Sequence, residues 1–290
     1  MENITPWIIL ITYVLALLLI DFFILHKKNR DTSVKRAIFE TIFFIVNALI
    51  FSGFIYWFYN ISLVDNVNNL EPAQAVVKYL TGYIIELSLS VDNLFVIAII
   101  FTSFKIPRQY QHNLLFLGIL GAIVFRAILI SVGLILINRV HGMNIVFGLF
   151  LLFTAIKMLK KEAEHKEVKE PKGIIKLFRF SNELHDGKYI TKVNGKTVFT
   201  ALFGALITIE LTDLLFALDS IPAIFAVTTD PFIVFSSNIF AVMGLRSLYF
   251  FLSNMLDKFV YLKYSVFAIL LFVSLKLMTA SLIEIPEWFS

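Results

Sequence analysis

Apolar stretches long enough to cross a membrane recur along this chain at residues 6–25, 36–58, 74–102, 111–137, 142–160, 197–226, 233–256 and 259–281, with short polar segments between them. A bilayer core of about 30 Å takes roughly 20 helical residues, and only a structure that satisfies its own backbone hydrogen bonds can span hydrocarbon. The pattern therefore predicts an all-α polytopic membrane protein of about eight transmembrane helices. The first stretch has neither a basic segment before it nor a small-residue cleavage site after it, so it reads as a span and not as a cleaved leader. The sizeable polar interval, 161–196, opens with the charged run "KEAEHKEVKEPKG" and passes through "IIKLFRF", which suits a membrane interface. It leads into "KYITKVNGKTVFT", where alternation around Asn194-Gly195 predicts a β-hairpin.

The spans repeat. "SVDNLFVI" in the third is answered by "ALDSIPAI" in the sixth, "VFRAILI" in the fourth by "GLRSLYF" in the seventh, and "LLFTAIKML" in the fifth by "LLFVSLKLM" in the eighth. Each unit holds an odd number of spans, so the second must thread the membrane in the opposite sense. Two inverted three-helix repeats are expected, 74–160 and 197–283, with two additional N-terminal helices in 1–60 and a cytoplasmic loop at 161–196. In such folds the sites lie near the bilayer midplane, at the repeat interface.

Composition agrees: 59% of residues are apolar and 16% charged, against about a quarter charged in ordinary globular domains. The chain has no cysteine, which excludes disulfides and thiolate-metal sites. A net charge of +4 would suit a polyanion, but the basic residues fall on alternate loops: Lys27, Lys28, Arg30, Lys35 and Arg36, then Lys105 and Arg108, then the run from Lys157 to Lys196, then Lys258 and Lys263. The intervening loops hold Asp65 and Glu71, Arg139, and Asp230. Cytoplasmic loops carry the Lys and Arg excess, so both termini are expected outside the cytoplasm. No nucleic-acid partner is expected, since the basic runs carry no reading motif or interleaved aromatics.

The chemistry lies in five carboxylates inside apolar spans: Glu86, Asp92, Glu210, Asp213 and Asp219. Intramembrane charges are costly and normally face the bundle interior with partners. Arg126 and Arg246 are the evident charge partners, since Lys157 and Lys276 lie near span ends and can snorkel. The remaining negative charge favours a cation. On an unbroken helix Glu86 lies nearly in register with Asn93, and Asp213 with Ser220, whereas Asp92 and Asp219 are turned by about 240° from them. Convergence of both acids of a repeat thus requires a broken helix, which Ser88, Ser90 and Pro222 would permit. Pro222 also frees the backbone oxygen of Leu218. The expected metal-binding set is Glu86, Asp92, Asn93, Asp213, Asp219 and Ser220, with Glu210, Thr212 and the Leu218 backbone as additional groups. All-oxygen ligation suits magnesium, calcium or manganese better than zinc or copper. Asp21 and Glu40, near span ends, read as interfacial charges.

These segments, "ELSLSVDNLFVIAIIF" and above all "IELTDLLFALDSIPAIFAVTTDPFIVFSSNIFAVMGLRSLYF", resemble the TerC family of integral membrane proteins over about residues 75–283. The resemblance implies a divalent-cation exporter of the bacterial inner membrane, with Mn²⁺ the implied cargo and Glu86, Asp92, Asn93, Asp213, Asp219 and Ser220 lining its path. Calcium or another divalent ion is the alternative cargo. Proton antiport is the expected coupling, since paired carboxylates can take up protons as the metal leaves. No enzymatic activity is expected, because Asp92 and Asp219 lack the glycine-framed pattern of an intramembrane aspartyl hydrolase. Assembly or insertion of other membrane proteins, as the resemblance implies for some organellar relatives, is the other alternative, with 161–196 as the binding platform.

Overall fold

The computed structural model describes residues 4–25, 34–66, 68–160, 180–181, 187–193, 196–252 and 262–279. The helices are α1 (Thr5–Ile20), continued by a π-helical turn (Asp21–Leu25), α2 (Val34–Asn60), α3 (Pro72–Ser103), α4 (Arg108–Arg139), α5 (Met143–Lys160), α6 (Ala201–Phe225), α7 (Pro231–Met243), α8 (Leu245–Leu252) and α9 (Leu262–Thr279). Six helical segments are long and apolar enough to cross a membrane, α7 and α8 counting as one, and two shorter apolar helices lie in α5 and α9. Each expected span overlaps a helix among the described residues, but the sixth, expected from 197, is strand up to Thr200 and helix only from Ala201, and the seventh is interrupted at Gly244. The charged run, most of "IIKLFRF" and the Asn194-Gly195 turn lie outside the described residues.

The sequence begins its helices with recognisable chemistry. Pro72 opens α3 behind Glu71, whose backbone N–H donates to Gln74 Oε1 at 3.1 Å while its side chain accepts from the first turn. Asp230 caps α7, its Oδ1 accepting from the backbone of Phe232 and Ile233 at 3.0 and 3.2 Å. Strand β2 (Ile190–Val193) pairs antiparallel with β3 (Lys196–Thr200), and β1 (Phe180–Ser181) joins β3 in parallel, in the order β1-β3-β2. β3 runs directly into α6.

The stripe Ala37, Phe44, Ala48, Phe51, Ile55 and Phe58 of α2 is buried at helical spacing, while Ile38, Phe39, Ile42, Val46 and Leu49 on its other side are exposed. A helix apolar on both faces is adapted to lipid as its solvent. The N-terminal pair is integrated into the bundle. Phe51 packs on Phe240 of α7 with ring centroids 4.6 Å apart, and Tyr79 of α3 donates to the backbone oxygen of Ala48 at 3.1 Å. Elsewhere α3 packs on α7, α4 on α6, and α5 on α9, with α3 and α6 also in contact.

Small residues set the closest approach, as is usual between helices in lipid. At Gly148 of α5 an added Cβ would come within 3.0 Å of the Ser274 backbone oxygen and 3.2 Å of the Met278 nitrogen on α9. Gly148→Val is therefore expected to lower stability by about 1–3 kcal/mol in detergent thermal-unfolding measurements. Gly53→Ala, where no atom lies within 4 Å of the added carbon, should leave the transition unchanged or raise it.

Candidate cation site

Helices α3 and α6 cross the bundle antiparallel, and three contacts fix their register. Lys78 Nζ donates to the Val227 backbone oxygen at 3.1 Å, an added Cβ on Gly82 would sit 3.7 Å from Ile224, and Asn93 Nδ2 donates to Asp213 Oδ1 at 2.9 Å. Each step along α3 is matched by an equal step back along α6. Glu86 is thereby level with Asp219 and Ser220, and Asp213 with Asp92 and Asn93. The two levels are six residues apart on each helix, or about 9 Å along the axis.

Arg126 of α4 bridges the levels. Its Nε and Nη2 donate to Asp213 Oδ2 and Oδ1 at 3.1 and 2.9 Å, a forked pairing, and its Nη1 donates to Glu86 Oε1. Nη1 also reaches Asn238 Oδ1 of α7 at 3.5 Å. Glu86 further accepts from Asn238 Nδ2 at 3.0 Å and from Ser90 Oγ at 3.2 Å. Arg126 is 2% exposed and Glu86 0%. The centre draws on four helices, α3, α4, α6 and α7, and with its acids ionised carries one net negative charge.

Both α3 and α6 are unbroken α-helices, which corrects the expectation of carboxylates gathered by broken helices. The convergence comes from the seven-residue register, which already stacks Glu86 over Asn93, and from Arg126 reaching between levels. Pro222 is accommodated near the end of α6. Among the expected ligands, Glu86, Asn93 and Asp213 are brought together. Ser220 is buried beside this layer with an Oγ that has no hydrogen-bond partner, as has Oδ1 of Asn93.

Asp92 and Asp219 are turned away from Arg126, none of whose hydrogen bonds goes to either. Asp219 instead accepts from Thr154 Oγ1 of α5 at 3.0 Å, with Lys157 close enough to act on it electrostatically. Asp92 is half-buried on α3. Glu210 lies one turn before Asp213, its carboxylate lodged against Gly121 of α4 and its Oε2 buried without a partner. The Thr212 hydroxyl donates to the Thr208 backbone oxygen at 2.7 Å, within its own helix. Leu218 has an exposed side chain, and its carbonyl lacks the helical N–H that Pro222 cannot supply.

Arg246 requires a second correction. It pairs with Asp21, at the end of α1, and not with the central carboxylates. Asp21 and Glu40 are 2% and 1% exposed, so they are buried members of the bundle and not interfacial charges: the packing of the N-terminal pair encloses them. Asn238 and Ser90 are not among the expected ligands, although the polar run Ser236-Ser237-Asn238 inside an apolar span carries the signal. Among the described residues, no three His, Cys, Asp or Glu side chains gather in an arrangement able to hold a metal ion.

The family comparison matches the integral membrane protein TerC family over residues 71–290. The chain belongs to that family. It is similar to an uncharacterized membrane protein of Rickettsia conorii, 42% identical over 97% of this chain and 91% of the relative. A Myxococcus xanthus membrane protein is 41% identical over 97% of this chain and 85% of its own length. Alx of Salmonella typhi, described as a candidate membrane-bound redox modulator, is 38% identical over 94% of this chain and 85% of the relative. No solved structure matches the chain. The family and the apolar helices make this a multi-pass integral membrane protein.

For this TerC-family chain the Arg126 centre has a direct energetic consequence. Arg126→Gln leaves two carboxylates buried without their cation, at an expected cost of about 3–5 kcal/mol. Adding Glu86→Gln and Asp213→Asn to that background should recover much of the loss. A thermodynamic cycle from thermal unfolding in detergent measures the coupling, and additive losses would contradict it.

Proposed function

We propose that the protein is a divalent-cation transporter of the inner membrane, moving Mn²⁺ out of the cytoplasm in exchange for protons. The observation that carries this reading is the donor set around Arg126: two buried carboxylates, the amides of Asn93 and Asn238, and the hydroxyl of Ser90. Without the guanidinium, Glu86 and Asp213 offer two negative charges and only oxygen donors, which match a hard divalent cation. In this reading Arg126 is a tethered cation that closes the site. The metal displaces it, and its return expels the metal. Asp219, with Asp92 on the opposite level, extends the path toward the two membrane faces. Protons taken up by the vacated carboxylates supply the counter-flux. Glu210, Ser220, Thr212 and the Leu218 carbonyl are approach groups.

Two inverted repeats, 74–160 and 197–283, are part of the same proposal, with both termini outside the cytoplasm, 1–60 as the added pair and 161–196 as a cytoplasmic loop. Reciprocal packing supports them: α3 on α7 and α4 on α6 exchange under a two-fold axis, while α5 packs on its counterpart α9. The hydrogen bond from Asn93 to Asp213 has a formal counterpart in Ser220 and Glu86, and Ser220 is too short to make it. A role as redox modulator, the description given to Alx, would have to act through something other than a thiol here, because the chain has no cysteine.

Proteoliposomes loaded with a manganese-quenched dye and a pH indicator test the reading. Mn²⁺ flux should be accompanied by opposite proton flux and fall to background in Glu86→Gln and Asp213→Asn, with Ca²⁺ moved more slowly. A folded sample that moves no divalent cation would overturn transport. Manganese flux without a proton signal would overturn the exchange.

A further inference from the structure

A second buried charge centre lies outside the carboxylates of α3 and α6. Asp21 opens the π-helical turn after α1, Glu40 lies on α2, and Arg246, itself 1% exposed, lies on α8. Arg246 Nη2 donates to Asp21 Oδ1, while its Nε and Nη1 are buried without hydrogen-bond partners. The arginine is therefore held to the N-terminal pair by one carboxylate alone. Glu40 Oε1 accepts from Arg36 Nε at 2.9 Å, and its Oε2 is buried with no partner. Asp21 and Glu40 are close enough to repel each other electrostatically. The contact between Arg246 and the N-terminal pair is thus one ion pair, which a proton on Asp21 would remove.

The centre also has a mechanical connection. α7 ends at Met243 and α8 begins at Leu245, so Gly244, itself at a helical φ of −76° and ψ of −13°, is a one-residue irregularity in one span. On one side of it Asn238 holds Glu86, and on the other Arg246 is held by Asp21. We propose that Asp21, with Glu40 beside it, is a proton-binding group that fixes α8 through Arg246 when ionised and releases α8 about Gly244 when protonated. Two further groups of α4 face α8 among the described residues. His112 of α4 stacks on Phe250 with centroids 3.9 Å apart, and Arg108 of α4 acts on Tyr249. Neither group supplies a carboxylate to replace Asp21. The proposal needs no particular cargo, so it can fail while the transport reading stands, and the reverse.

Hydrogen–deuterium exchange of the full chain in nanodiscs, corrected for the intrinsic pH dependence of exchange, tests it on peptides covering 241–252. Protection of α8 in the wild type should fall by about tenfold or more between mildly alkaline and mildly acidic pH, while α5 changes little. Asp21→Asn should give the low protection at both pH values, and Asp21→Glu should restore the pH response. Protection of α8 that is independent of pH in the wild type overturns the proposal, as does a pH response that persists in Asp21→Asn. If Asp21→Asn does not fold, the wild-type titration, which needs no substitution, decides.

Discussion

A guanidinium in the middle of a bilayer must be neutralised and must have its N–H groups satisfied, because no water is present to do either. Arg126 imposes that demand, and the arrangement of α3, α4, α6 and α7 is the response to it. Its forked pairing with Asp213 and its bond to Glu86 tie the third and sixth spans to the fourth, and the Asn238 amide adds the seventh. A buried ion pair of this kind is weak evidence for stability, since an apolar replacement of like shape is often as good.

The two arginines have different roles. Arg126 faces the central acids, whereas Arg246 is drawn aside by Asp21 from helices that precede the family match at residue 71. The N-terminal pair thus leaves the central acids with one guanidinium. Had both arginines reached Glu86 and Asp213, those acids would be fully neutralised and would offer no charge to a cation. The addition of α1 and α2 is in this sense part of the electrostatics of the core, besides the apolar packing of Phe51 against Phe240.

The spans were legible in the sequence because lipid selects on length and hydrophobicity, both of which can be read directly. The seven-residue register of Glu86 with Asn93 was legible for the same local reason, and so was Arg126 as a partner. What the sequence could not reveal depends on tertiary contact. Whether Arg246 turns toward α6 or toward α1 is set by how α8 packs on α2, and the burial of Asp21 and Glu40 follows from that packing. The irregularity at Gly244 was hidden because glycine is tolerated within membrane helices without interrupting them. The expected unwinding of α3 and α6 arose from requiring Asp92 and Asp219 to meet Glu86 and Asp213 at one point. The antiparallel register removes that requirement by distributing the acids over two levels.

The proposed transport requires that Arg126 and a divalent cation compete for the same two carboxylates. Calorimetric titration of Mn²⁺ into the wild type and Arg126→Gln, both in nanodiscs, addresses it directly. Arg126→Gln should bind Mn²⁺ tighter by about tenfold or more, because the metal no longer has to displace a bound guanidinium. Binding that is unchanged or weaker in Arg126→Gln, from a folded sample, would contradict it.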